Sequence, residues 1–347
     1  MSNGMDNGAK PRVKLCAIAK DEGAYLAYWV FHHLYFGFDE IHICLNRTTD
    51  NSAAILDEIA KAHPNVTYSY YDWVDLLPRG LASRLQYVAY ARELVNAREQ
   101  ARTDYICFLD IDEFWTPKGW DKSIQDCLLE HDCPSSLSFL WANEPGKKDA
   151  FSMLPSSGQY LVTGQLKTVF RIGLDLNVVQ PHIPLFQTDV KCLMAGGKSF
   201  LPAGNRSQVH RLEPGDTRDL PFFLVHRMCR SPVEYMYTLL RGAPSKYFEL
   251  RMNRNRGYFS ESQCNFEHSA PAHRYTEYLQ SISRLLTNRK LNDLIETDKS
   301  RILDIRERFY EAFEVAAKNP DNKELLLRNV EGLSDLTLDS LIRRLYA

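Results

Sequence analysis

The sequence predicts an α/β fold: a mostly parallel sheet with helices on both faces, followed by a helical C-terminal extension. Two observations lead there. Up to Leu109, short apolar runs alternate with segments of helical period in the order strand, helix, strand, helix, strand, helix, strand. From about His273 to Ala317, apolar residues recur at near-helical intervals, and a last helical segment covers Leu336 to Tyr346.

Val13 to Ala19 reads as the first buried strand, stopping at the charged turn Lys20-Asp21-Glu22-Gly23. Ala24 to Phe36 then places Leu26, Trp29, Val30, His33 and Leu34 at helical spacing, with Gly37 as its C-terminal cap. Ile41 to Leu45 is a second strand, ending in Asn46-Arg-Thr-Thr-Asp50 before a helix that begins near Ser52. Val66 to Tyr71 alternates as a third strand, and a long helical segment runs from about Ala82 to Ala101. It delivers the chain to Tyr105-Ile-Cys-Phe-Leu-Asp-Ile-Asp-Glu-Phe-Trp115, an apolar run that ends in acid. Side chains two apart on an extended chain point the same way, so Asp110 and Asp112 are expected to project together while Ile111 turns into the core. Further on, Leu137 to Leu140 and Phe222 to His226 read as apolar strands. Ser231-Pro-Val-Glu234 is a capping box with proline at the first helical position.

Composition narrows the function classes. A chain of 347 residues with 44% hydrophobic content can bury a substantial core. Its 42 basic and 44 acidic residues, a formal charge of -2, give no general attraction to nucleic acid. Eight cysteines are scattered without a C-x-x-C pair, as in a protein with reduced, buried thiols. Met1 to Lys10 lacks the apolar core of a signal peptide, and no stretch reaches the roughly 20 apolar residues that span a bilayer. The expectation is a cytoplasmic protein that is free to touch the inner face of a membrane. The domain reading is a disordered leader at 1–12, a main domain at 13–260 and the helical extension at 261–347.

Paired carboxylates at a strand end suit Mg²⁺ or Mn²⁺, which take hard oxygen ligands together with substrate phosphates. In open parallel sheets the ligand lies beyond the carboxyl ends of the strands, where three polar turns gather here: 20–23, 46–50 and 110–113. Neither G-x-G-x-x-G nor G-x-x-x-x-G-K-[ST] is present, which argues against dinucleotide binding and P-loop chemistry.

Several segments in order resemble one family. Ala19-Lys-Asp-Glu-Gly-Ala-Tyr-Leu-Ala-Tyr-Trp29, His32-His33 with Gly37-Phe38-Asp39, Asn46 to Asp50 and Phe108-Leu-Asp-Ile-Asp-Glu-Phe114 are similar to the family 2-like glycosyltransferases, in the branch related to family 92. Leu166-Lys-Thr-Val169, Gln180-Pro-His182, His226 to Tyr235 and Leu240-Arg-Gly242 continue the resemblance, which covers about residues 13 to 242. Leu45 stands where the branch usually has aspartate, and Glu144-Pro-Gly146 replaces a frequent Phe-Gly turn. The resemblance implies a GT-A fold and transfer of a sugar from a nucleotide-diphosphate donor, UDP-sugar by preference, to a glycan or glycolipid hydroxyl; the transfer is read as inverting if a carboxylate stands as base at the acceptor, and as retaining if none does.

On that reading Asp110, Asp112 and His226 hold Mn²⁺ or Mg²⁺. Lys20, Glu22, Asn46, Asp50, Arg84 and Asp110 face the donor, although Asp50 equally suits a helix cap. Trp141 and His182 line the acceptor side, and Glu144 is the candidate base. The basic stretch Arg251 to Arg256, with Tyr258 and Phe259, is either a lid over the diphosphate or a solvated loop. The apolar residues of the extension serve core packing or pair two copies. Two other readings compete: a carbohydrate-binding protein on an inactive transferase fold, and a phosphohydrolase with its own D-x-D.

Overall fold

The computed structural model describes residues 10–241, 250–251 and 257–346; the leader's residues 1–9 and residues 252–256 of the expected lid lie outside them. The chain opens with β1 (Val13–Ala19), α1 (Gly23–Tyr35), β2 (Glu40–Leu45), α2 (Ser52–Ala62) and β3 (Val66–Tyr70). After a short helix α3 (Arg79–Ala82) come α4 (Leu85–Gln100), β4 (Tyr105–Phe108), β5 (Glu113–Pro117) and α5 (Ile124–Glu130). Then follow β6 (Ser136–Asn143), the long β7 (Ser157–Arg171), and short strands β8 (Leu176–Val178), β9 (Leu185–Phe186) and β10 (Leu193–Met194). The described chain closes with β11 (Phe222–His226), α6 (Pro232–Leu240), β12 (Phe266–Ser269) and the helices α7 (Ala272–Leu285), α8 (Arg289–Leu303), α9 (Arg306–Ala317), α10 (Lys323–Val330) and α11 (Leu336–Tyr346).

The main sheet runs β3-β2-β1-β4-β7-β6-β11-β5. Its first four strands are parallel, as the alternation of strand and helix predicts. Beyond β4 it is mixed: β7 is antiparallel to both β4 and β6, β11 is parallel to β6, and β5 closes the path antiparallel to β11. Strand ends β1, β2, β4, β6 and β11 therefore share one edge.

Alternation along the strands assigns the faces. Leu15, Ala17, Tyr105 and Cys107 pack in the large core with Leu26, Trp29 and Val30 of α1. Cys16, Ile106 and Phe108 point the other way, against Tyr90 and Leu94 of α4. The extension is not separate from this core, because Tyr278, Ile282, Leu291, Ile295 and Ile302 join it and α8 packs on α1 and α2. Farther on, Phe309, Phe313, Leu326 and Leu338 form a second core with Tyr235, Met236 and Leu239 of α6. The eight cysteines are all free, six of them buried.

A polar network lies under α4. Lys14 Nζ donates to Glu93 Oε2 at 3.0 Å, and the Tyr71 hydroxyl donates to Glu93 Oε1 at 2.6 Å. His42 Nε2 stands 3.7 Å from Glu93 Oε1, and its Nδ1 is 2.8 Å from Thr67 Oγ1. His42, Cys44 and Glu93 offer ligand atoms within 4.8 Å of one another. Lys14 already supplies a cation at that carboxylate, which makes the cluster a structural tie between sheet and helix. Removing one partner of a buried ion pair leaves the other uncompensated. We expect Glu93→Ala to lower unfolding free energy in urea by about 3 kcal/mol. Lys14→Met combined with Glu93→Leu should recover most of it; equal losses in the single and double variants would refute the tie.

Candidate active site

The chain leaves β4 at Phe108 and turns at once: Glu113 N donates to Asp110 O at 3.0 Å, and Glu113 opens β5. The acids thus sit in a turn and not on extended strand, so Asp110 and Asp112 reach different partners. Ile111 is buried between them, as expected. Asp110 Oδ2 accepts from Lys167 Nζ at 3.0 Å, and its Oδ1 accepts from Gln86 Nε2 at 3.3 Å. Lys167, on β7, is fully buried and also lies 3.3 Å from Glu113 Oε2, itself fully buried. Burial works to lower the Lys167 pKa, but the Asp110 and Glu113 carboxylates outweigh it and raise it. Burial pushes the Glu113 carboxyl well up, with Lys167 opposing.

Asp112 reaches the other way, to His226 at the end of β11, with Oδ2 3.6 Å from Nε2. The tautomer of His226 follows from its neighbour. Asn143 Nδ2 donates to Leu161 O at 2.7 Å, which turns Asn143 Oδ1 towards His226 Nδ1 at 3.0 Å. Nδ1 therefore donates, so in the neutral imidazole Nε2 carries the lone pair and faces Asp112. A gap of 3.6 Å is too long for a hydrogen bond. Two atoms each about 2.1 Å from one ion are at most about 4.2 Å apart, so the pair fits a shared cation. The Asn143 contact fixes the orientation of the His226 ring, as a hydrogen bond to the far ring nitrogen does for histidines that bind metals.

Trp141 on β6 lies beside both histidines, its ring centroid 4.1 Å from that of His226 and 5.2 Å from that of His182. His182 Nδ1 donates to Leu166 O at 2.7 Å. Burial, reinforced by Lys167, brings the His182 pKa down to about 4. Asp110, Asp112, Trp141, His182 and His226 are thus gathered at one edge of the sheet.

The remaining expected residues are more tightly committed to structure. Asp50 accepts from Gly23 N at 2.7 Å and Ser52 N at 2.9 Å, pinning the starts of α1 and α2. Asn46 is buried, its Nδ2 donating to Tyr71 O at 3.2 Å. Lys20 Nζ donates to Arg241 O at 2.8 Å, and Glu22 is buried in ion pairs with Arg241 and, at 3.8 Å, with Arg230. Arg84 is exposed just before α4, with no side-chain partner among the described residues. Glu144, expected as the base, is fully buried; its Oε2 accepts from Arg227 Nε at 2.8 Å. In this conformation it is the counter-ion of Arg227, the residue after His226.

Lys167 and the arginines 227, 230 and 241 fall within the segments that carry the resemblance, and Glu113 ends the acid run, but neither these nor Asn143 were assigned a role in the site from sequence. A lone lysine within the apolar run Leu166 to Phe170 was the available signal, since a lysine is buried only when paired. Nothing local marks Asn143, whose role depends on a strand about 80 residues away. The strand-end turns carry further strain: Asp21, Arg47 and Arg230 all have φ near 50°, a left-handed geometry that non-glycine residues adopt at a cost. Asp21 Oδ1 accepts from Thr49 N at 2.6 Å, and Asp72 Oδ1 from Arg47 N at 2.6 Å, which hold two of these turns.

Comparison with known proteins agrees with the resemblance read from sequence. Residues 16–162 match the model of glycosyltransferase family 92, a span that includes Asp110, Asp112, Trp141 and Asn143 and stops before Lys167, His182 and His226. A glycosyltransferase family 92 protein of Ricinus communis is 24% identical over 123 residues, 35% of this chain and 20% of that protein. The chain therefore spans about a fifth of the length of the curated relative it matches. Among solved structures, the bifunctional glycosyltransferase WbbM in its apo form is similar at 14% identity and a TM-score of 0.26, covering 39% of this chain and 24% of that one. The galactosyltransferase LgtC in complex with donor and acceptor sugar analogues is similar at 16% identity and a TM-score of 0.24, covering 46% and 58%. Through the segment that builds β1 to the first part of β7, the chain is related to glycosyltransferase family 92.

Proposed function

We propose that this protein is a glycosyltransferase that takes a sugar from a nucleotide-diphosphate donor, UDP-sugar by preference, with a divalent ion held by Asp112 and His226. The observation that carries the reading is the pair itself: the imidazole Nε2 of His226, its ring oriented by Asn143, facing a carboxylate 3.6 Å away at the carboxyl edge of the sheet. A nitrogen and oxygen donor set with substrate oxygens completing the shell suits Mn²⁺. Such an ion, when bound, neutralises charge on the departing nucleoside diphosphate.

The chain's own residues supply the frame. Lys167 holds Asp110 beside the pair, and Gln86 ties the same carboxylate to the first turn of α4. Asp110 in that position is suited to ribose hydroxyls or ion-bound water. Trp141 is buried against His182 and His226 and backs the acceptor side of the crevice behind both rings. His182 stays neutral near pH 7 and presents its Nε2 as an acceptor. The acceptor is a glycan or glycolipid hydroxyl.

Three outcomes test this. Thermal melts with UDP-sugars should shift upward when Mn²⁺ is present and not when it is removed, because only a native-state ligand stabilises. Asp112→Ala or His226→Ala should abolish that shift, and Asn143→Ala should weaken Mn²⁺ binding about 10–100-fold. An unchanged shift in Asp112→Ala would refute the assignment. For Lys167→Met, both loss of sugar transfer and a destabilisation of about 3–5 kcal/mol are expected, since two acids lose their cation; a stable variant with full activity would count against it. Glu144→Gln separates base from counter-ion: as partner of Arg227 it should lower the melting point more than it lowers the rate. A rate loss above about 100-fold at unchanged stability would restore it as the base.

A further inference from the structure

The corner between β3 and α4 has surface features that the sugar chemistry does not use. Chain 71–85 turns its apolar side chains inward only in part: Tyr71, Val74 and Leu85 are buried with Cys44 and Ala89. Leu76 is 88% exposed and Leu81 51%, with Tyr70 at 56% and Tyr87 at 38%. These are four of the eleven large apolar side chains exposed among the described residues, drawn together within one short stretch. The short helix α3 packs directly on the turn at Asp72–Leu76, so Leu76 and Leu81 belong to one surface.

Charge accompanies the apolar tips. From Leu76 to Arg92 the chain has three arginines and no acid. Arg79 and Arg84 are exposed, with no acidic partner among the described residues, while Arg92 lies over the Tyr71 and Trp73 rings. The neighbouring Asp75 is already neutralised by Arg47, and Asp72, which accepts from Arg47 N, leaves one exposed acid in the turn against the two arginines. Exposed leucines interleaved with unneutralised guanidinium groups are what an anionic lipid surface accommodates: apolar tips enter the acyl boundary and cations meet lipid phosphates. A second copy fits less well, because self-pairing of this patch sets arginines against arginines. None of the described helices is long and apolar enough to cross a bilayer, so the contact would be with its surface.

The corner is also the lip of the candidate site. Gln86 donates to Asp110 from within this same stretch. We propose that the Leu76–Tyr87 corner docks this protein on an anionic membrane surface and so presents the strand-end acids to an acceptor carried at the lipid headgroups. The lipid-borne acceptor rests on the transferase reading; the docking does not.

The test is sedimentation of the full chain with vesicles of phosphatidylcholine alone or mixed with phosphatidylglycerol, without donor. Wild type should pellet with the anionic vesicles, less so as salt rises. Leu76→Ser with Leu81→Ser, and separately Arg79→Glu, should each reduce partition about tenfold. Leu336→Ser, an equally exposed leucine elsewhere, should leave it unchanged. Melting points of the variants should match wild type, since all these side chains are at the surface. No pelleting on anionic vesicles, or equal pelleting by all variants, overturns the proposal. A concentration-dependent dimer lost in Leu76→Ser with Leu81→Ser would give the face to a second copy and overturn it as well. Vesicle binding without any nucleotide-sugar shift would defeat the transferase reading alone; the shift without vesicle binding would defeat only the docking.

Discussion

The ammonium of Lys167 is the constraint on which the candidate site depends. It is fully buried between two carboxylates, one fully buried and one at the crevice edge. Taking such charges out of water is costly, and the arrangement persists because each ion is compensated within about 3 Å. That compensation decides the shape of the site. Asp110 is drawn towards β7, Glu113 is sealed at the start of β5, and the turn between them leaves Asp112 to reach β11. The long β7 matters for the same reason, since only a strand threaded between β4 and β6 brings a lysine to the end of β4.

A second layer holds the imidazole. Leu161 orients the Asn143 amide, Asn143 sets the tautomer of His226, and His226 then faces Asp112. The first two links tie β7 to β6 and β6 to β11, and the last reaches from β11 to the turn between β4 and β5. Around it the buried arginines 227, 230 and 241 pair with Glu144 and Glu22. They join α1, α6 and the ends of β1 and β6 into one electrostatic frame. Burial raises the Glu22 pKa in that frame even though Arg241 and Arg230 oppose it, so the frame stores desolvation cost as well as attraction.

Much of the fold was legible because it rests on local periodicity. The parallel half of the sheet, α1, α2, α4, β11 and the capped start of α6 follow from runs of apolar residues and from Ser231-Pro-Val-Glu234. The mixed half was not, because an antiparallel insertion is a choice of pairing partner and leaves no local periodic mark. For the site, Asp112, His226, Trp141 and His182 were singled out in advance and converge. For Asp50 the sequence left donor contact and helix cap equally open, and its carboxylate accepts from the first N–H groups of α1 and α2; Glu144, read as the base, neutralises an arginine. Residue type announces that a carboxylate is available; which cation or N–H takes it depends on chain segments remote in sequence.

By itself the sequence determined the α/β layering, the polar strand ends and the acid pair after β4, since these depend on side-chain period and turn composition. The tertiary structure decided how those groups are shared. It parted Asp110 from Asp112 by giving one to Lys167 and the other to His226, and it buried Glu144 beneath Arg227. It also left Leu76 and Leu81 outside the core. The physical reason is the same in each case: the free energy of a charge or an apolar tip depends on what lies within a few ångströms of it, and strand pairing over long sequence distances determines those neighbours.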